Sequence, residues 1–126
     1  MNSSTIWTEH GVDWKVVGQL HTKDILTFVE EIAQSPRLNE LKYFFWDVTE
    51  VTEYVDDDDD VELSANYSVS LEVYNNRLAG ALIANTPAML AFCEEYIKTM
   101  KAMESPWEMK VFSDLDEARK WIESKV

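Results

Sequence analysis

Two periodicities in the placement of apolar residues divide the chain into predicted strands and helices. Alternating side chains over residues 5–9 and a β-rich run over residues 12–18 predict a hairpin with Gly11 at its turn. Apolar residues then recur at helical spacing over residues 23–35, a predicted helix that Thr22 can cap. The first part of the chain therefore predicts two strands followed by a helix.

Short apolar runs later in the chain are typical of buried strands. KYFFWDV, residues 42–48, is an aromatic run that ends close to an aspartate, as a buried parallel strand does where it meets a loop. LAGALIAN, residues 78–85, has the same character, and its small residues allow a neighbouring element to approach closely. EMKVF, residues 108–112, predicts the last strand.

Amphipathic stripes predict two further helices between and after these strands. The first covers residues 87–103, with Thr86 as its cap and a proline in its first turn. The second covers residues 114–124, where Ser113 or Asp114 can cap the helix, acidic residues fill the first turn and lysines come late.

One segment fits both periodicities. Odd positions from Val61 to Val73 are mostly apolar, which is strand periodicity, but Leu63, Tyr67 and Leu71 also share one helical face. A crossover between two parallel strands is normally helical, and thirteen residues would make a long lone strand. A helix near residues 60–76 is the preferred prediction, with a strand as the alternative.

These elements predict an α/β fold with a mixed sheet of four or five strands and about four helices, in the order ββαβαβαβα. A chain of 126 residues fits one domain, residues 1–126, and its 46% apolar content supports a core despite a net charge of −13. No apolar run reaches the roughly 18 residues of a membrane span, and no signal-peptide pattern opens the chain. A soluble cytoplasmic protein is expected.

The distribution of charge along the sequence argues against nucleic acids and anionic membranes as binding partners. Between Lys42 and Arg77 every charged residue is acidic, and such a surface repels nucleic-acid phosphates and anionic lipid headgroups. The single Cys93 cannot form an internal disulfide, which agrees with a reducing compartment. Neither nucleic-acid binding nor membrane binding is predicted.

A run of five consecutive aspartates begins at Asp56. Asp56, Asp58 and Asp60 of this run match the first three alternating oxygen ligands of an EF-hand calcium loop. However, the next position is Val61 where that loop needs glycine, and the twelfth is Tyr67 where it needs glutamate. The EF-hand pattern fails, and only weak, nonspecific cation binding is expected from the clustered carboxylates.

The sequence contains no other pattern for metal binding or catalysis. His10, His21 and Cys93 lack the spacing of zinc ligands. Cys93 falls on the apolar stripe of its predicted helix, where a small buried hydrophobe is expected and not a nucleophile. Three isolated glycines cannot form a phosphate-binding loop. No catalytic residue, metal site or cofactor is predicted, and the chain is not expected to be an enzyme.

Three stretches of the sequence carry a resemblance to a known family: FFWDVTEVTEY at 44–54, LAGALIANTPAMLAFCEEYIKTM at 78–100 and KVFSDLDEARKWI at 110–122. They resemble the STAS domain, the fold of bacterial anti-anti-sigma factors, and more closely the stand-alone SpoIIAA-like proteins, which are related to lipid-carrying CRAL-TRIO domains. The resemblance covers most of the chain after residue 40. It contains no catalytic signature.

The resemblance implies a location for partner binding. In signalling members a serine follows the Asp-ended strand, and its phosphorylation governs binding of a partner kinase. Here Asp47 corresponds to the strand end, and the phosphoserine region falls within Asp56 to Asp58, where no serine occurs. The usual switch is then absent, and the aspartates either mimic a phosphate or, as we prefer, cap the following helix. The implied partner-binding loop contains Asp47, Thr49, Thr52, Asp56, Asp57 and Asp58.

The expected function is therefore that of a non-enzymatic regulatory domain that binds an unidentified protein partner. The alternative is a carrier or sensor of a small apolar ligand such as a lipid, since methionine and aromatic residues form a stripe on the helix over 87–103. Core packing explains the same stripe. A homodimer is also expected, through a sheet edge at which Trp7 is exposed. The candidate ligand residues are Met89, Phe92, Tyr96 and Met100.

Overall fold

A five-stranded sheet organises the computed structural model, which describes residues 3–55, 75 and 77–125. The strands lie in the order β1-β2-β3-β4-β5, with β1 antiparallel to β2 and the other neighbours parallel. The strands are β1 (Ser3–Trp7), β2 (Gly11–His21), β3 (Tyr43–Val55), β4 (Ala79–Ile83) and β5 (Glu108–Phe112). The described helices are α1 (Thr22–Ala33), α2 (Pro87–Ala102) and α3 (Leu115–Glu123), with a short 3-10 turn at Leu38–Glu40.

The larger core lies between the sheet and the two crossover helices α1 and α2. Trp14 of β2 stacks on Phe28 of α1 with ring centroids 4.8 Å apart, and both rings meet Trp46 of β3 edge-on at 5.6 and 5.8 Å. Trp46 in turn contacts Tyr96 of α2 at 5.0 Å. Aromatic pairs of this kind contribute about 0.5–1.5 kcal/mol each beyond their burial. They join both helices to the centre of the sheet.

The opposite face of the sheet carries a smaller core under α3. Ala118 and Ile122 of α3 pack against the side chains of β4 that point to this side, Ala79, Ala81 and Ile83. On the other side of β4, a Cβ added to Gly80 would lie 2.7 Å from Phe44 Cε2, so this position has no room for a side chain. The prediction that small residues of this strand allow close approach is confirmed.

The predicted α/β sheet is confirmed, as are the helices over 87–103 and 114–124 to within one residue at each end. Thr86 caps α2 by accepting the Met89 backbone N–H at 3.3 Å, and Asp114 caps α3 by accepting the Asp116 N–H at 2.9 Å. The segment predicted as a helix near 60–76, and the aspartates before it, lie outside the described residues. In the described part of the chain, no helix is long and apolar enough to cross a membrane.

The turn of the N-terminal hairpin differs from its prediction. Gly11 is the first residue of β2, and the turn is formed by the residues before it. Thr8 closes that turn, because its N–H donates to the Gly11 carbonyl at 2.9 Å and its hydroxyl accepts the Gly11 N–H at 3.1 Å. Glycine is needed here because a Cβ would overlap the ring of Tyr43 on the neighbouring strand.

The start of α1 also differs, because β2 continues to His21. The N-cap is His21, whose backbone N–H donates to the Asp24 carboxylate at 2.9 Å. Thr22, predicted as the cap, is instead fully buried, and its hydroxyl shares a 2.6 Å hydrogen bond with the phenol of Tyr54.

The exposed large apolar side chain on the edge strand β1 is that of Ile6, not Trp7. Ile6 is 62% exposed. Trp7 is partly buried against the larger core, and the guanidinium of Arg37 lies 5.6 Å from its ring centroid. Side chains alternate between the two faces of a strand, so Trp7 points to the larger core and its neighbour Ile6 points to the opposite face. The predicted exposure of Trp7 is therefore wrong.

A buried asparagine ties the amino ends of the central strands together. The Asn75 amide nitrogen donates to the Leu38 and Leu41 carbonyls, both at 2.8 Å, and its carbonyl oxygen accepts the Arg77 N–H at 3.0 Å. The indole N–H of Trp107 donates to the Asn75 backbone carbonyl at 2.8 Å. One residue thereby joins the 3-10 turn and the segments that lead into β4 and β5.

Replacing Asn75 by Ala removes the side-chain donor from two buried carbonyls, that of Leu41 and that of Leu38, and the Leu38 carbonyl keeps only a long bond of 3.4 Å from the Leu41 N–H. We expect the free energy of unfolding to fall by about 2–3 kcal/mol, measured by urea denaturation. The exposed Asn39 provides a matched control, since Asn39→Ala should change stability by less than about 0.5 kcal/mol. Equal effects of the two substitutions would contradict the role assigned to Asn75.

Candidate functional site

The carboxyl end of β3 extends beyond its neighbour β4. Strand β4 pairs with β3 only as far as Asp47, which lies opposite Ile83, whereas β2 pairs with β3 as far as Val55. This corrects the prediction that the strand ends near Asp47. The physical reason is that residues after Asp47 find pairing partners on the extended end of β2. In open α/β sheets, the carboxyl ends of parallel strands are where ligands and partners bind.

Two bulges shape this projecting end. The first bulge lies between the pairs Lys15–Asp47 and Val17–Glu50, where β3 contains one residue more than β2. A second extra residue enters β3 between the pairs Gly18–Val51 and Gln19–Glu53. Next to this second bulge, Gly18 has a φ of 83°, a conformation that other residues adopt at a cost. Bulges are frequent beside functional sites because they turn side chains out of the regular alternation.

The two predicted threonines lie within these bulges. Thr49 belongs to the first, where its backbone N–H and its hydroxyl donate to Asp47 Oδ1 at 3.0 and 2.7 Å. Asp47 therefore has a structural role, because its carboxylate accepts the backbone N–H of the bulge. Thr52 is the extra residue of the second bulge, and its side chain is exposed.

A groove of about 600 Å³ runs between the end of β3 and the start of α2, lined by residues 49–54 and 86–89. Acidic side chains of its β3 wall are held by neighbours on β2. Glu50 forms a hydrogen-bonded ion pair with Lys15, and this hydrogen bond is the main reason why the pKa of Lys15 is raised. Glu53 accepts a hydrogen bond from the side-chain amide of Gln19 at 3.0 Å. The groove thus combines threonine hydroxyls with oriented carboxylates.

The structure brings together part of the predicted partner-binding loop. Thr49 and Thr52 line the groove, and Asp47 lies on the same strand just before them. Asp56, Asp57 and Asp58 lie outside the described residues. Prediction missed the bulges and the groove wall on α2, although the β-branched run VTEVTEYV that favours an extended strand was visible in the sequence.

The four candidate ligand residues on α2 are all buried against the sheet. Their exposed fractions are 2% for Met89, 8% for Phe92, 1% for Tyr96 and 1% for Met100. The cavity beside them, between α1, β3 and α2, has a volume of about 10 Å³, room for one water molecule. The indole N–H of Trp46, which lines this cavity, is buried and has no hydrogen-bond partner among the described residues.

The described residues offer neither a reactive thiol nor a cluster of metal ligands. Cys93 is fully buried, and desolvation, followed by the charge of Glu94, raises the pKa of its thiol to about 12. It is therefore protonated at neutral pH and a poor nucleophile. Residues 3–55, 75 and 77–125 contain no cluster of three or more His, Cys, Asp or Glu side chains that could hold a metal ion.

Comparison with solved structures identifies the fold. An uncharacterised protein of the DUF3478 family with a SpoIIAA-like fold, from Shewanella loihica PV-4, is 19% identical with a TM-score of 0.52 over 95% of this chain and 91% of that one. An anti-sigma factor antagonist from Mycobacterium paratuberculosis is 10% identical with a TM-score of 0.61 over 96% and 92%. The anti-sigma factor antagonist SpoIIAA, in its unphosphorylated form, is 15% identical with a TM-score of 0.58 over 98% of each chain.

No protein-family model matches the sequence, and no curated protein matches it. The three structural relatives share an architecture with this chain along almost its whole length and along almost their own. At identities of 10–19%, this likeness concerns the fold. The chain has a SpoIIAA-like fold, as its sequence resemblance implied.

Proposed function

We propose that this chain is a non-enzymatic, STAS-like regulatory domain that binds a protein partner at the carboxyl end of its sheet. The observation that carries the proposal is the groove between the bulged end of β3 and the first turn of α2. Two solved relatives of the same fold are described as anti-sigma factor antagonists, which act on other proteins. They support a partner-binding role for a surface on this scaffold.

The groove offers a partner both backbone and side-chain contacts. In the described part of the chain, β3 beyond Asp47 pairs with β2 alone, so its other edge faces the groove. Unpaired strand edges bind extended segments through main-chain hydrogen bonds. Thr52 is exposed on this wall, and Thr86 lies across from it at the N-terminus of α2. An extended, hydrogen-bonding segment of a partner is the ligand that fits these features.

Binding here does not depend on a phosphorylated serine. The sequence has no serine between Ser35 and Ser64, a stretch that includes all of β3 and the aspartate run. The hydroxyl of Thr49 is engaged by Asp47. The charge of this end of the molecule is therefore set by encoded acidic side chains such as Glu50 and Glu53, and not by an added phosphate. We infer a constitutive binding surface.

One observation favours the second candidate function, a carrier of a small apolar ligand. The Trp46 N–H is a buried donor without an acceptor in an otherwise apolar core, and a ligand oxygen would satisfy it. Against this, the cavity of about 10 Å³ is far below the several hundred cubic ångströms of ligand pockets. A carrier function would require α1 and α2 to separate. Protein binding is therefore preferred.

The role of the groove in partner binding can be tested with Thr52→Arg, which places a long cationic side chain at the exposed second bulge. A photo-crosslinker at position 52 would capture the partner in cells, and the purified partner would then be titrated calorimetrically. We expect Thr52→Arg to weaken binding at least about tenfold, since it fills the groove. Thr27→Arg, on an exposed position of α1, is the control and should leave affinity within about twofold. Equal affinity of both variants would exclude the groove as the binding site.

Native mass spectrometry of the purified protein separates the two candidate functions. We expect masses that correspond to the polypeptide alone, because the core beside Trp46 is closed. A co-purified apolar molecule that is lost in Trp46→Phe would favour the carrier function, since that change removes the indole N–H while keeping an aromatic ring. Retention of the molecule by this variant would indicate binding at another surface.

Cys93 should behave as an inert core residue. Its thiol should not react with a disulfide reagent at pH 8 in the folded protein and should react fully in denaturant. Because folding raises the thiol pKa to about 12, its contribution to stability is complete below the unfolded value near 9 and is lost as the pH rises from there towards 12. Unfolding measured against pH should show this loss, and Cys93→Ala should abolish it. Rapid labelling of the folded protein would contradict the assignment.

A further inference from the structure

The side of the sheet that carries α3 is only half covered in the described structure. Helix α3 packs mainly on β4 and β5. Strands β1 and β2, and Asp47 of β3, present side chains beyond the edge of this helix, whereas Phe45 of β3 is buried in the core under it. We call this region the open face, and it contains Ile6, Asp13, Lys15, Val17, Asp47, Leu115 and Arg119.

The exposed large apolar side chains of the described residues are all on the open face. They are Ile6 at 62%, Val17 at 46% and Leu115 at 38% exposed. Ile6 lies opposite Asp13 in the β1–β2 pair, and Val17 follows two positions after Lys15 on β2, so alternation puts both on the α3 side. Leu115 begins α3. Exposed apolar residues that gather on one face mark an interaction surface.

A cleft of about 160 Å³ lies between Ile6 and Leu115, and its floor is polar. Arg119 approaches Asp13 Oδ2 at 3.7 Å while its guanidinium lies 5.0 Å from the ring centroid of Phe45. The other carboxylate oxygen, Asp13 Oδ1, is buried and has no hydrogen-bond donor. Desolvation raises the pKa of Asp13, and Arg119 offsets this only in part. The accessible part of the same carboxylate, which belongs to a side chain 25% exposed, remains available to a cation from outside the chain.

The charges of the open face identify its occupant. Two carboxylates, Asp13 and Asp47, and two cations, Lys15 and Arg119, line the cleft, so its formal charge is zero. The whole chain carries −13. Two copies of the chain repel each other over most of their surfaces, and a neutral face with an apolar rim is where this repulsion is smallest. Equal numbers of acids and bases also allow the face to complement itself around a two-fold axis.

We propose that the protein forms a homodimer through the open face. Ile6 and Leu115 of each copy pack against the other copy, and a cation of one copy, Lys15 or Arg119, lies against the accessible part of the Asp13 carboxylate of the other. Helix α2, which forms one wall of the groove, packs on the opposite side of the sheet. The two surfaces meet at the Lys15–Glu50 ion pair, so the two proposals are tested at residues that belong to one surface alone, Ile6 and Leu115 for the dimer and Thr52 for the groove.

Analytical ultracentrifugation over low to high micromolar concentrations tests the dimer. The unmodified chain should show a concentration-dependent monomer–dimer equilibrium. Ile6→Glu and Leu115→Glu should each raise the dimer dissociation constant at least about tenfold, because each introduces a carboxylate into the contact. Ala91→Glu adds the same group to an exposed position of α2 and should have no such effect. Circular dichroism melting curves verify that each variant folds.

Asp13→Asn and salt dependence examine the polar centre of the contact. Asp13→Asn should also weaken the dimer, since it removes the charge that attracts a cation of the second copy. Because the net charge of −13 opposes association, raising salt should strengthen the dimer of the unmodified chain. A chain that is monomeric at every concentration and salt level would overturn the proposal. A dimer disrupted by Ala91→Glu but not by Ile6→Glu or Leu115→Glu would overturn it as well.

Discussion

The parallel pairing of β2 with β3 is the interaction on which the rest of the structure depends. It runs from the pair Gly11–Tyr43 to the pair His21–Val55, well beyond the five residues along which β4 joins β3. A parallel pair has to be connected by a crossover, and α1 supplies it and places Phe28 over Trp14 and Trp46. The excess length of this pair creates the projecting end of β3 and one wall of the groove.

The order and type of the described elements could be predicted because local patterns determine them. Thr86 was named as a cap in advance, and Asp114 was one of two candidates with Ser113, because a cap acts on the backbone within its own first turn. Thr22 was predicted as a cap by the same reasoning, and it is displaced because β2 extends to His21. Strand ends are set by pairing with a neighbour, which local sequence does not reveal, so the end of β3 was placed about eight residues too early.

The candidate sites were less predictable because they depend on contacts between distant parts of the chain. Asn75 bonds to carbonyls 37 and 34 residues earlier, and nothing in its local sequence indicates this. The carboxylate of Asp13 meets Arg119 only once α3 has packed on the sheet. Thr49 and Thr52 were predicted as site residues from a family resemblance. That resemblance did not predict the two bulges that contain them. Register shifts arise from both strands together.

The strand order has a consequence for how the chain assembles during synthesis. Because β1 to β5 lie in space in the same order as in the sequence, each strand pairs with the one made just before it. The sheet can therefore grow from its N-terminal hairpin as the chain leaves the ribosome, and none of the five described strands has to insert between two others. Helix α3 comes last and covers Ala79 and Ala81 of β4. Until α3 has formed, that apolar strip stays uncovered, which makes the docking of α3 the step that completes the smaller core.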